Sequence, residues 1–171
     1  EKDRLRSSPT MQGLCERFME DYVPVHCKPS TAREYKRSVE IFILPKMKHE
    51  LVAEITRTDI VSLHHSMRDT PYQANRTLGV LSVMFTQAEI WGLRPENTNP
   101  CFRVKRFTEQ KRERFLSESE LRRLGEALEQ ESISAPSAVN CVWLLIATGC
   151  RLSEIQKLEW RHVDLTHNML H

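Results

Sequence analysis

The stretch Ala147-Thr148-Gly149-Cys150-Arg151-Leu152-Ser153-Glu154-Ile155-Gln156-Lys157-Leu158-Glu159-Trp160 constrains this chain more than any other. An apolar segment closes at Gly149, the residue type that most readily takes the left-handed cap of a helix. A second helix is predicted to start at once, with Leu152, Ile155 and Leu158 spaced for one buried stripe. Arg151 stands at the mouth of that helix and Glu154 three positions on, so the two share a face. A permanent cation then sits beside the free N–H groups of a helix start, steadied by a carboxylate, which suits a phosphate. Two helices joined by a glycine turn, with an Arg–Glu pair outside, also form an ordinary packing unit. The register of Thr148, Arg151, Ser153, Glu154, Trp160 and Asp164 taken together is what raises the pattern above that reading.

In this register, Thr148-Gly149-x-Arg151-x-Ser153-Glu154-Ile155-x-x-Leu158-x-Trp160-x-x-Val163-Asp164 resembles the first active-site box of the tyrosine recombinases, the phage-integrase family of DNA strand-exchange enzymes. The resemblance implies that Arg151 is the first catalytic arginine and Glu154 its acidic companion. It covers the final quarter of the chain closely and the helices before it more loosely. The fold it implies is mainly α: a four-helix, SAM-like core-binding bundle, a basic linker, then the first helices of an α+β catalytic domain. It also implies double-stranded DNA as partner, a homotetramer on two duplexes, no cofactor or metal, and a cytoplasmic, nucleoid-associated setting.

Composition agrees with a globular, charged chain: 171 residues, 40% hydrophobic and 28% charged. The apolar run from Val142 to Ala147 is far short of a bilayer span, so no membrane association is expected. Without an initiator methionine or signal peptide, the chain reads as a fragment of a longer protein. Its five scattered cysteines include no CxxC pair, and neither His64-His65 nor His26-Cys27 has partners at metal-site spacing, so reduced thiols and no metal are expected. Net charge is only +2 but uneven: residues 1–114 carry 20 Lys and Arg against 15 Asp and Glu, whereas 115–171 carry 5 against 8. A basic front half fits a nucleic-acid partner.

In chain order, residues 1–9 read as a mobile lead-in and 10–100 as the helical core-binding domain. Its first helix uses Met11, Leu14, Cys15, Phe18, Met19 and Tyr22, with Pro24 expected to stop it. The second starts with Ser30 as N-cap, turns Tyr35, Val39, Phe42 and Ile43 inward, and is expected to end at Leu44-Pro45. A third spans about 58–68 with Thr56 or Thr58 as cap. The fourth and longest opens on Thr70-Pro71-Tyr72-Gln73, read as a capping threonine, a proline at the first helical position and a glutamine reaching back. Residues 101–114 form a basic linker in which Phe102 and Phe107 are expected to anchor a strap across the phosphate backbone. Residues 115–171 begin the catalytic domain, with Ser117 and Glu120 as a capping box and Leu116 as a staple. Residues 138–147, apolar almost all round, are assigned to a buried helix on their length and the glycine cap.

Candidate DNA contacts are the polar side chains expected on outer helix faces and in the linker: Arg33, Lys36 and Arg37; Gln73, Asn75 and Arg76; Lys105, Arg106, Lys111 and Arg112. The lysines suit phosphate, while Gln73, Asn75 and Arg76 can also read base edges. The family's later elements, a hairpin lysine, a His-x-x-Arg pair and the nucleophilic tyrosine, are not found after Trp160. Tyr22, Tyr35 and Tyr72 all fall in the first bundle, so this chain alone is not expected to cut DNA. The other readings are a non-catalytic DNA-binding or architectural protein built from the same front half, and a helical protein-interaction module with incidental charge.

Overall fold

A computed structural model of the chain describes residues 9–111 and 113–170. The expected lead-in, except Pro9, and Arg112 of the linker lie outside the described residues. The chain divides into two compact units, Glu1–Lys111 and Arg112–His171.

In the first unit, α1 (Met11–Arg17) runs through a π-helical turn (Phe18–Tyr22) into α2 (Val23–His26). In the same way α3 (Pro29–Ser38) runs through a π-helical turn (Val39–Ile43) into α4 (Leu44–Met47). Pro24 and Pro45, expected to stop these helices, therefore lie inside them. In each case the residue before the proline donates its N–H five residues back, Val23 to Phe18 and Leu44 to Val39. The wider turn gives the pyrrolidine ring room and absorbs its missing N–H, so the helix bends past the proline and continues. Pro29, rather than a residue after a Ser30 cap, opens α3, and Lys28 occupies the cap position.

Helix α5 (Arg57–Ser66) begins where the Asp59 carboxylate accepts the N–H of Thr56 at 2.8 Å and its hydroxyl at 2.7 Å. Those two bonds hold the Asp59 carboxyl below its ordinary range. Helix α6 (Pro71–Ile90) is the axis of the bundle. Its start differs from expectation: the Thr70 hydroxyl donates back to Met67 O, and Gln73 donates forward to Thr77 Oγ1 instead of closing a capping box. Ala74, Leu78, Leu81, Phe85 and Ala88, the stripe that helical spacing turns inward, are buried as expected, but so are Asn75, Thr77, Val80 and Met84, because the other helices cover α6 on more than one side. Gly92, at φ 70°, ends it, and the Leu93 N–H returns to Ala88 O at 2.9 Å. Phe18, Ile43, Ile60, Leu81, Met84 and Phe85 fill the centre with no more than 1% exposure each.

The connector between α4 and α5 is part of this core. Pro9 O accepts from Val52 N, Met11 N donates to Glu50 O, and Val52 and Ile55 are buried. Arg94, beyond α6, donates to the carbonyls of Val52, Ile55 and Thr98 and lies 5.4 Å from the centre of the Phe85 ring. One guanidinium thus ties the connector to the exit of α6, a role no spacing in the sequence announced.

The second unit contains α7 (Glu118–Glu131), α8 (Pro136–Thr148), α9 (Leu152–Gln156), a 3₁₀ turn (Trp160–His162) and a hairpin of β1 (Val163–Asp164) and β2 (Met169–Leu170). The strands are antiparallel, pairing Val163 with Leu170 and Asp164 with Met169. The predicted Ser117–Glu120 capping box opens α7, with Ser117 N to Glu120 Oε2 at 2.9 Å and Glu120 N to Ser117 Oγ at 3.3 Å. Leu116 does not act as a staple: it and Leu121 are both 47% exposed. Among the described residues, only Leu128, Val139 and Ile155 of this unit's hydrophobic side chains are buried. Residues 138–147 are helical as expected but not enclosed, with Trp143, Leu144 and Ile146 all open to solvent.

Candidate nucleic-acid interface and partial active site

At the end of α8, Gly149 takes φ 66° and its N–H reaches Leu145 O at 3.0 Å, forming the predicted left-handed cap. The Thr148 hydroxyl donates to Leu144 O at 2.6 Å and accepts from Cys150 N at 3.3 Å, which ties the turn to the helix it leaves. Arg151 then sits as the N-cap of α9 with its side chain 85% exposed. Glu154 holds it twice: Oε2 accepts the Arg151 backbone N–H at 2.8 Å, and Oε1 accepts from Nη1 at 2.9 Å. The Arg151 backbone N–H, its side chain and its charge all hold the Glu154 carboxyl below the ordinary carboxylate range, so it is an anion at neutral pH.

The expected anion-binding helix start is thus altered. Glu154 occupies the Arg151 N–H, α9 is five residues long, and the attraction for an anion rests on the guanidinium. The expected stripe is also incomplete, since Ile155 is buried, Leu158 half-buried and Leu152 54% exposed. A depression of about 530 Å³ beside the pair is lined by Cys150, Ser153, Glu154, Lys157 and His162, among others. Asp164 faces the hairpin turn, where Oδ1 accepts from Thr166 N and His167 N and Oδ2 meets His167 Nδ1 at 2.8 Å. Its carboxyl is held low, chiefly by the His167 side chain. The motif positions therefore divide: Arg151 and Glu154 present charge, whereas Thr148 and Gly149 shape the turn that leads to them and Asp164 shapes the hairpin turn.

In the first unit, Arg33 and Arg37 are exposed on α3 and make no ion pair among the described residues. Lys36 lies 3.8 Å from Glu40, and Arg76, at the start of α6, lies 3.8 Å from Glu34. Both pairs are long and solvated, so a phosphate can displace them at little cost. Gln73 is partly buried against its own helix. Lys105, Arg106 and Lys111 are exposed and carry no ion pair among the described residues, while Arg112 lies outside them.

Asn75 overturns its expected place. It is 5% exposed, turned inward between α5 and the linker, and cannot read a base. Its Nδ2 donates to Phe107 O at 2.9 Å and Glu109 Oε1 at 2.7 Å; its Oδ1 accepts from Phe107 N at 2.9 Å and lies 3.0 Å from His64 Nε2. The His64 and Phe107 rings stack at 4.2 Å and 12°. Phe107 is thus anchored as expected, whereas Phe102 is 64% exposed and anchors nothing. A helix wheel could not reveal this cluster, because its partner is supplied from 32 residues further along the chain.

Among the described residues, no group of His, Cys, Asp and Glu is placed to hold a metal ion, and no helix is long and apolar enough to cross a membrane. Neither a protein-family model nor a curated protein sequence matches the chain. Solved structures do. A lambda integrase tetramer bound to a Holliday junction matches with a TM-score of 0.77 and 19% identity, over 96% of this chain and 48% of that one. A lambda integrase dimer bound to a COC' core site matches with a TM-score of 0.76 and 18% identity, over 95% and 46%. The chain spans about half the length of these proteins, and over that span its fold is the mainly helical fold of lambda integrase.

Proposed function

We propose that this chain is the DNA-gripping and first catalytic portion of a tyrosine site-specific recombinase, an integrase that cuts and rejoins duplex DNA through a covalent 3′-phosphotyrosine intermediate. The observation that carries this is the exposed Arg151 guanidinium, clasped by Glu154 inside a lambda-integrase-like fold. In the proposed reaction the guanidinium holds the non-bridging oxygens of the scissile phosphate as charge moves onto them. A planar fork that stays charged suits that task. Glu154 fixes the direction of the fork and lowers the entropy lost when phosphate binds.

In this reading the helices of residues 10–100 grip one face of the duplex through Arg33, Lys36, Arg37 and Arg76. Lys105, Arg106, Lys111 and Arg112 of the 101–114 linker follow the phosphate backbone, and residues 115–171 open the catalytic domain. The partner is double-stranded DNA, and the working assembly is a tetramer on two duplexes. Further sequence of the parent protein supplies the remaining catalytic groups. None of this chain's tyrosines suits the nucleophile: Tyr22 stacks on Phe18, Tyr35 is half-buried beside the same ring, and Tyr72 lies in the first turn of α6. The second reading is a non-catalytic DNA-binding protein built from the same parts.

The test is made in the intact parent protein. Arg151→Ala, and also Arg151→Lys, lowers strand cleavage at least about 100-fold while leaving duplex affinity nearly unchanged. Cleavage at the wild-type rate removes Arg151 from the reaction. Neutralising Lys105, Arg106, Lys111 and Arg112 reduces the slope of log affinity against log salt by about 0.9 for each phosphate that is no longer paired with a cation. An unchanged slope returns the segment to plain connector. If the parent never traps a covalent DNA adduct on a nicked substrate, the non-catalytic reading stands.

A further inference from the structure

The basic linker is not free along its length. Cys101 is buried, its N–H bonded to Asn99 Oδ1 at 2.9 Å, and Val104 is half-buried against the bundle core. Three residues later Asn75 offers Phe107 both halves of its amide, so the side chain copies one rung of an antiparallel ladder. Every hydrogen-bonding position of that amide is occupied: two donors on Phe107 O and Glu109, two lone pairs on Phe107 N–H and His64. Because Oδ1 only accepts, the His64 nitrogen facing it is the one that carries hydrogen. The His64 ring closes the arrangement by stacking on Phe107.

Between the two fixed points, Val104 and Phe107, lie Lys105 and Arg106, exposed and without an ion pair among the described residues. Glu109, the one acidic residue from Cys101 to Lys111, is bonded to Asn75 and not to them. The cations therefore stay unneutralised on a backbone already ordered. Ordering one residue's backbone at the moment of binding costs about a factor of ten in affinity, and here that ordering precedes binding.

We infer that Asn75, with His64 and Phe107, is a positioning residue: it locks residues 101–109 onto the helical bundle and presents Lys105 and Arg106 as a preset contact for two backbone phosphates. This rests on the DNA-binding reading above. Arg76, the neighbour of Asn75 on α6, carries its charge from the helix to which the strap is pinned.

The test uses the whole 171-residue chain as wild type, Asn75→Ala, Phe107→Ala and a Lys105→Ala/Arg106→Ala double variant. Amide exchange is read without DNA, and affinity for a random-sequence duplex is read at one low salt concentration. In the wild type the Phe107 amide is protected, and Asn75→Ala lowers that protection at least about tenfold while the α6 amides keep theirs. Asn75→Ala and Phe107→Ala each weaken duplex binding by about tenfold, and combining either with the double variant gives less than the sum of the separate effects. Should Asn75→Ala also lose α6 protection, Phe107→Ala, on a half-buried residue outside the core, decides alone. Additive effects, or a Phe107 amide that exchanges like unstructured peptide in the wild type, overturn the inference while leaving DNA binding intact. A wild-type chain that does not bind duplex overturns the DNA-binding reading itself, and the positioning role with it.

Discussion

Arg151 and Glu154 show how little structure a charged site needs when its backbone is committed. The carboxylate closes one ring onto the Arg151 N–H and a second onto its guanidinium, so an otherwise solvated side chain has a preferred direction. The bond to the N–H gives a readout with a definite sign. Glu154 has a folded-state pKa below its ordinary value of 4.5, so the clasp is fully present above that value and is lost as pH falls through the depressed one. The Arg151 amide resonance should therefore be flat from neutral pH to about 5 and shift only in more acidic solution, and Glu154→Gln should abolish the shift. A midpoint at or above the ordinary carboxylate value would contradict the clasp. Cys15 and Cys101 show the opposite behaviour, since burial pushes both thiols up to about 12 and makes them inert core residues.

For single elements, local chemistry and tertiary packing contributed unequally. Helix starts depend on a few neighbouring residues, with mixed outcome. The Ser117–Glu120 box formed as its spacing predicts and Asp59 accepts from Thr56 at the start of α5, whereas Thr70 and Gln73 close no box and Lys28 replaces Ser30 at the cap of α3. Asp59→Ala should destabilise the first unit by about 1 kcal/mol in thermal unfolding, because it removes the acceptor of the Thr56 N–H and hydroxyl. Since the Asp59 carboxyl is held low, the difference from wild type should shrink as pH drops below the carboxylate range; a constant gap would point to lost packing instead. Helix ends were harder to foresee. Proline disfavours the helical region for the residue before it, which made Pro24 and Pro45 look terminal. The packing of Val23, Val39, Ile43 and Met47 into the core holds both helices together past the break, and the π-helical turn is the local concession.

Across the molecule, the two units differ in how much they bury. The first has a continuous core from Met11 to Cys101, whereas the second buries only Leu128, Val139 and Ile155 of its described hydrophobic residues. Phe85→Ala, at the centre of the larger core, should cost about 3–5 kcal/mol. In hydrogen exchange it should accelerate amides throughout α1–α6 and leave those of α7–α9 at their wild-type rates. Matching acceleration in both units would mean that they unfold as one. Arg94→Met should also act on the first unit alone, by about 2–3 kcal/mol, because three carbonyls lose a charged donor.

Residues close along the chain settled several features among themselves, and these were legible in the sequence: its helical character, the Gly149 cap, the Ser117–Glu120 capping box, and Arg151 with Glu154 on one outward face. Each depends on backbone geometry within one turn, where spacing is nearly a distance. Features that needed a partner from far along the chain emerged only on folding. Asn75 looks outward on a helical wheel and is inward because the 104–109 segment returns to cover it. Arg94 carries no signal in the local spacing and holds the first unit's connector because Val52 and Ile55 fold back to it. Polarity is written in a residue, but burial belongs to the contacts around it, and those form only when the chain closes on itself.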